Sequence, residues 1–376
     1  MRILIAPDKF KGSLTAPEAC DAIAAGILDA RPDATIDCCP MSDGGEGFVE
    51  AMTRARNGRV VARRVTGPLP ERQVEASLAI VDGDRPGDTA VIEMASASGL
   101  ALLAPADRNP LYTTTFGTGE LVRFAAEMEC RQVLLGIGGS ATCDAGVGAL
   151  QACGCHVILS SQQYASITEP LCGRDLDDVV MIKAHRGSRV HGIRITIACD
   201  VTNPLFGPDG AAIVYGPQKG ASASDVRELD RMLTSLSARL GWNEIAARPG
   251  SGAAGGIGCG LAAMFGATLT PGVEMVMAAT RLRERMMSAD LIITGEGRLD
   301  ETSASGKVVG GVAHLAAELG KSCIAIAGQI DDAAHLSALG LKRWVSLVDV
   351  ETPAPQAIAN AGALLRQRAA KMMATA

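Results

Sequence analysis

The two ends of the chain share one rhythm, and the middle does not. RILIA (2–6) is a short apolar run, and a polar loop follows it. Ala19, Ile23, Ile27 and Leu28 then recur at the spacing of one helix face. Thr15 is placed to cap that helix, Pro17 suits its first turn, and Glu18 completes a capping box. TIDCCPM and GFVEAMTRA repeat the strand–helix order. Towards the other end, ADLIIT (289–294), SCIAIAG (322–328) and KRWVSLV (342–348) again alternate with helical segments, and 355–373 reads as a terminal helix. Strands that alternate with helices build parallel sheets. The prediction is an α/β protein with a flavodoxin- or Rossmann-like parallel-sheet domain made from both chain ends, residues 1–58 plus 270–376.

Residues 59–269 break the rhythm and read as a second, mixed α/β domain inserted into the first. VVARRV (60–65), VEASLAIV (74–81) and TAVIEMA (89–95) follow one another across short Gly/Pro turns, which predicts partly antiparallel pairing. A helix (119–129), the strand QVLLGIG (132–138) and another helix come next. Residues 160–191 are polar and irregular. RITIACD (194–200) and AAIVYG (211–216) read as strands, and 224–240 as a helix. GAAGGIGCGLAAMFGA reads as a small-residue helix suited to close packing. A cleft between two such domains is the expected place for an active site.

Composition narrows the class. Of 376 residues, 48% are hydrophobic, enough for a large core, while aromatics are only 3%. The net charge of -6 argues against nucleic acid and anionic membrane partners. Eleven cysteines without a CxxC read as reduced, mostly buried thiols. MRILIAPDKF shows no signal peptide, and no apolar run approaches the roughly 20 residues of a membrane span. A cytoplasmic protein is expected. The five histidines have no zinc-ligand spacing.

In open parallel sheets, ligands collect at the carboxyl ends of the strands, at the switch point of strand order. With order 2-1-3-4-5 that point falls between RILIA and ADLIIT. The loops there carry Asp8, Lys9, Lys11 and Ser13 in APDKFKGS, Asp43 and Glu46 in SDGGEG, and Glu296 and Lys307 in GEGRLDETSASGK. In the inserted domain, GIGGSATCDAG offers Gly138, Gly139, Ser140, Thr142 and Asp144 as an anion cradle. Asp200 ends a predicted strand, and Lys219 lies in the glycine-bounded loop GPQKG. Gly136-x-Gly138-x-x-Ala141 lacks the acid of a dinucleotide fingerprint, and Ser305-Gly306-Lys307 fails the P-loop pattern. Carboxylates for a divalent metal, cations for phosphate and a glycine cradle together fit phosphoryl transfer.

The segments APDKFKGSLTA, PMSDGGEG, EMASASGL, FGTGEL, GIGGSATCDAG, DVTNPLFGPDGA, GPQKGA, GAAGGIGCG and TGEGRLD…SGK, in this order, resemble the bacterial glycerate kinase type I family. The resemblance implies ATP- and Mg²⁺-dependent phosphorylation of D-glycerate, usually at the 2-hydroxyl. Small-molecule and nucleotide partners and a monomer or homodimer are expected, as are roles by charge type. Lys9, Lys11 and Ser13 would meet the substrate, with Asp43 and Glu46 beside them. Asp43, Glu46 and Glu296 would serve Mg²⁺, and Asp8 or Asp200 is the candidate base. Residues 138–144, with Lys219 and Lys307, would hold nucleotide phosphates. The family more often has Asn where Cys143 stands, and Gln with Ser or Thr near Glu301-Thr302. Two other readings stay open, a kinase for hydroxypyruvate or tartronate and a non-catalytic nucleotide- or sugar-acid-binding regulator.

Overall fold

A computed structural model describes the chain apart from residues 57, 161–168, 186, 301–306, 332–335, 337–338 and 375–376. Glu301, Thr302, Ser305 and Gly306 therefore lie outside the described residues. The strands, in chain order, are β1 (Arg2–Pro7), β2 (Thr35–Cys38), β3 (Arg59–Thr66), β4 (Gln73–Val81), β5 (Thr89–Glu93), β6 (Gln132–Gly136), β7 (His156–Leu159), β8 (Val179–Lys183), β9 (Arg194–Ala198), β10 (Thr268–Thr270), β11 (Leu291–Leu299), β12 (Ser322–Ile330) and β13 (Arg343–Ser346). They fall into two compact units. One comprises Met1–Asp43, Glu50–Arg56 and Pro271–Ala376, and the other Gly44–Val49 and Asn57–Thr270.

The first unit holds a parallel sheet in the order β13-β12-β11-β1-β2. Counted within the unit this is 2-1-3-4-5, the flavodoxin-like order. Ile3–Ile5 lie opposite Leu291–Ile293 and are fully buried, as a two-sided parallel strand must be. Helix Ala16–Ala30 starts at the expected capping box: the Glu18 N–H donates to Thr15 Oγ1, and the Thr15 N–H donates to Glu18 Oε2 at 2.8 Å. It buries Ala19, Cys20, Ile23 and Ile27, whereas Leu28 is 42% exposed. Burying each isoleucine contributes about 1.5–3 kcal/mol. Gly26 lets helix Ala361–Ala374 approach so closely that a Cβ there would sit 2.1 Å from the Arg366 carbonyl oxygen. The single terminal helix expected is two, Ala354–Ala359 and Ala361–Ala374, broken at Asn360, a residue type that favours turns over helix interiors.

One expectation changes here. β11 does not end at Thr294: it runs on through Gly295-Glu296-Gly297 to Leu299, because Glu296, Arg298 and Leu299 keep pairing with Ala327, Gln329 and Ile330 of β12. Glu296 thus stands on a strand and not in a loop.

The second unit has a mixed sheet in the order β10-β9-β6-β5-β4-β3. β3–β4 and β4–β5 are antiparallel and the other pairs parallel, as the middle of the chain suggests. β7 and β8 form a separate antiparallel pair reaching into the segment that looked irregular; exposed Val180 and Met181 hide its alternation. AAIVYG is a helix (Ala211–Tyr215), not a strand. Ala211, Ala212 and Gly216 are buried while Ile213 and Val214 are exposed, a helical spacing that a short β-branched run conceals. In the small-residue helix Ile257–Phe265, a Cβ on Gly260 would lie 2.3 Å from the Ala145 carbonyl oxygen. Close packing is therefore the work of its glycines.

All eleven cysteines are free, and only Cys38 and Cys199 are not fully buried. Among the described residues no helix is long and apolar enough to cross a membrane.

Candidate active site

At the carboxyl end of the first sheet, the Asp8 N–H donates to the Gly295 carbonyl at 2.8 Å, holding the turn after β1 against β11. Residues 39–41 follow β1: the Cys39 N–H donates to Ile5 O at 2.8 Å and the Met41 N–H to Pro7 O at 2.9 Å. This leads Asp43 towards Asp8. Asp8 is 7% exposed and Glu296 6%. Burial pushes the Asp8 carboxyl up to about 7, and the charges of Asp43 and Glu296 push the same way. The Lys9 N–H, donated to Asp8 Oδ1 at 2.7 Å, and the Lys9 ammonium oppose them. A Cβ on Gly297 would sit 2.9 Å from the Lys11 nitrogen, so glycine there is what lets the β1 loop cross β11.

The rest of that loop is built for shape. The Ser13 hydroxyl donates to Phe10 O at 2.9 Å, which closes the turn, and Gly12 takes the left-handed region at φ 78°. Lys11 is exposed. Lys307, just before helix Val308–Glu318, lies 3.5 Å from an Asp300 carboxylate oxygen. Among the described residues no three His, Cys, Asp or Glu are grouped to hold a metal ion.

In the second unit, the loop after β6 carries the opposite charge. Gly138 and Gly139 are exposed, and their N–H groups meet no protein acceptor among the described residues. Gly139 sits at φ 72°, a conformation glycine adopts without strain. The loop lies against 98–100: Leu100 N–H donates to Gly139 O at 2.8 Å and Ala141 N–H to Ser98 O at 2.9 Å. Behind it Lys219, 3% exposed, donates to Ser140 Oγ at 2.8 Å and to the Thr142 carbonyl at 2.7 Å. Burial lowers the Lys219 ammonium to about 8, against the opposing pull of Cys143 and Asp144. The Thr142 hydroxyl donates to Ala254 O at 3.4 Å.

Asp144 is fully buried and faces inward. It accepts the Thr115 N–H (2.9 Å), the Thr115 hydroxyl (2.7 Å) and the N–H groups of Gly146 (3.1 Å) and Gly148 (3.3 Å). Its geometry is that of a loop brace. Thr115 was not singled out from the sequence; the threonine run 113–115 ahead of FGTGEL was the available signal.

The structure thus brings together Asp8, Lys9, Asp43 and Glu296 in the first unit, where Lys11, Ser13 and Lys307 also lie, and Gly138, Gly139, Ser140, Thr142, Asp144 and Lys219 in the second. Glu46 is exposed and belongs with Gly44–Val49 to the second unit. There the turn packs on β6: a Cβ on Gly136 would lie 2.3 Å from Gly44 O, and one on Gly138 3.1 Å from the Gly45 Cα. Glu93, at the end of β5, accepts the Val49 N–H at 2.8 Å and ties the turn down. Asp200 is exposed just beyond β9.

Acids at the carboxyl end of the first unit's parallel sheet and, in the second unit, a lysine-braced glycine loop are features that phosphoryl transfer can use. Comparison with known proteins makes the class specific. The model of the glycerate kinase family matches residues 3–376, and the chain belongs to that family. It is a kinase. It is 44% identical over 335 residues to a glycerate kinase of Halalkalibacterium halodurans, covering 87% of this chain and 85% of that protein. A protein of Escherichia coli K12 named glycerate 2-kinase is 43% identical over 335 residues (88% and 86%), and a Bacillus subtilis glycerate kinase 40% identical over 380 (100% and 97%). A crystal structure assigned as glycerate kinase 2 of Salmonella typhimurium LT2 superposes with a TM-score of 0.87 at 41% identity, covering 100% of this chain and 98% of that one.

Proposed function

We propose that the protein transfers the terminal phosphoryl group of ATP to D-glycerate and releases 2-phospho-D-glycerate. The name of the Escherichia coli relative supports the 2-position, and the family supports nucleotide use. The observation that carries the assignment of roles is Asp8, a buried acid raised to about 7 beside two further carboxylates. A carboxyl near the working pH is suited to take the proton of an acceptor hydroxyl. Asp200, by contrast, is exposed. Lys9 and Lys11 orient the acceptor's own carboxylate, and Gly138 and Gly139 donate N–H groups to nucleotide phosphate. Lys219 supplies positive charge beneath that loop and fixes Ser140 in place.

Mg²⁺ suits the carboxylate end. Asp43 and Glu296 both raise Asp8, so excess negative charge is gathered there, and one or two carboxylates plus substrate phosphates are the usual Mg²⁺ donor set. When bound, the ion would offset phosphate charge. The protein is expected to act in the cytoplasm.

The decisive assay incubates purified protein with ATP, Mg²⁺ and a panel of hydroxy acids (D-glycerate, hydroxypyruvate, tartronate), reading ADP release and the product by NMR. Phosphorylation of D-glycerate at the 2-hydroxyl is expected. Phosphate on the 3-hydroxyl would overturn the product, and turnover only with another acid would overturn the substrate.

A further inference from the structure

A cavity of about 390 Å³ lies within the first unit, lined by Arg2, Arg54, Arg281 and Arg285 together with Cys38, Pro40 and Thr280. Asp8, Asp43 and Glu296 are not part of its wall. Arg2, Arg54 and Arg281 are exposed at its rim and Arg285 is half-buried, so what each guanidinium already meets decides the matter. Arg285 is committed: it forms two bonds with the Asp37 carboxylate and donates to Cys38 O at 2.8 Å. Arg54 gives one Nη2 bond to Asp21 at 3.2 Å, leaving the rest of its fork. The side chains of Arg2 and Arg281 have no hydrogen-bond or ion-pair partner among the described residues. Glu284 is the one acid on the wall, and Asp290 accepts only the Arg2 backbone N–H, at 2.7 Å. Arg281 is further held at φ 51°, a left-handed conformation that non-glycine residues seldom adopt without compensation.

We propose that this cavity binds a compact tetrahedral oxyanion of the phosphate-monoester class, held by Arg2, Arg54 and Arg281. Arginine forks match phosphate oxygens two at a time. The volume admits a phosphorylated acid of a few carbons, the class of compound that a kinase acting on small hydroxy acids releases. Pro40 in the wall lies three residues before Asp43, on the segment that leaves β2 and runs alongside the end of β1. Occupancy therefore bears on a segment that reaches the carboxylate end, without sharing a residue with it.

Two measurements test this. Crystals of the protein soaked in tungstate should show an anomalous peak within hydrogen-bond reach of Arg2 and Arg281. Calorimetric titration with inorganic phosphate, and separately with a phosphorylated three-carbon acid, should show a site that Arg281→Ala weakens roughly tenfold, the scale of one lost charge-assisted contact. Arg2→Gln, near the chain terminus, should weaken it likewise and guards against misfolding of the Arg281 variant. The kinase rate without added phosphate should be unchanged in both. Preference between the two titrants tells free phosphate from a phosphate ester. An empty cavity in tungstate, or the same affinities in both variants as in the wild type, would sink the proposal.

Discussion

The acid cluster of the first unit and the glycine loop of the second are opposites in charge and alike in strain. In the first unit burial holds an acid, Asp8, up to about 7; in the second it holds a base, Lys219, down to about 8. In both, burial is the largest cause, and it works against the charged form. A fold optimised for stability alone would keep neither group there. The first gathers Asp8, Asp43 and Glu296 around one buried carboxyl, and the second presents glycine N–H groups with a lysine behind them. By charge alone, the first would favour a cation and the second an anion such as phosphate.

The largest effect expected is at Asp8. Asp8→Asn should lower kcat about 10²–10⁴-fold, the usual contribution of a positioned general base. The same change should stabilise the protein. Because the folded value, about 7, lies above the ordinary 3.8, the wild type is relatively stable below pH 3.8 and loses that stability as pH rises through 7. In Mg²⁺-free buffer the unfolding free-energy advantage of Asp8→Asn should therefore widen from pH 5 to pH 8, by an amount of order a few kcal/mol at most. An advantage that stays flat across that range would mean that Asp8 does not titrate there.

Lys219 should give the mirror image. Its folded value, about 8, lies below the ordinary 10.5, so its contribution to stability is full above 10.5 and is lost as pH falls through 8. Lys219→Met should raise the KM for ATP at least tenfold and remove the part of the wild-type KM rise that begins near pH 8. It also leaves Ser140 Oγ and the Thr142 carbonyl without their donor, so circular dichroism must accompany the kinetics. If the variant folds and its KM is unmoved, the loop is not the phosphate end.

How much of this contrast could be read beforehand differs between the units. The outer βαβ rhythm and the capping box at Thr15 follow from local pattern, because β1, β2, β11 and β13 are each followed by a helix; the 2-1-3-4-5 order is a tertiary property that this rhythm allows and does not fix. AAIVYG and 160–191 defeated the pattern for lack of length or of visible alternation. Glu296 was found by its motif but placed in a loop, since nothing in GEGRL announces that β12 continues beside it. Asp144 shows the limit most clearly. Composition marks it as a charge beside a glycine loop, and only the four hydrogen bonds it accepts from Thr115, Gly146 and Gly148 reveal that it faces inward. The direction in which a side chain points is a tertiary property, and spacing does not carry it.

A smaller effect separates backbone from charge. Gly138→Ala puts a Cβ 3.1 Å from the Gly45 Cα, tight enough to shift the loop by a few tenths of an ångström without unfolding it. The KM for ATP should rise a few-fold while that for the acceptor stays within twofold. Equal changes in both would show that the loop does not act on the nucleotide alone.

The smallest effect on activity is expected at a helix contact within the first unit. Gly26 is the point where helix Ala16–Ala30 meets helix Ala361–Ala374, and an added Cβ would fall 2.1 Å from the Arg366 carbonyl oxygen. Backbone cannot yield as a side-chain tip can, so the helices must part. Gly26→Ala should cost about 1–3 kcal/mol, the usual range for overpacking, and lower the melting temperature by several degrees. At a temperature where the variant is folded, kcat and both KM values should match the wild type. If they do, the losses at Asp8 and Lys219 cannot be put down to weakened packing of the units that carry them. If kcat falls in step with stability, the contrast between the acid end and the base end needs another explanation, because general loosening would then be enough to slow the enzyme.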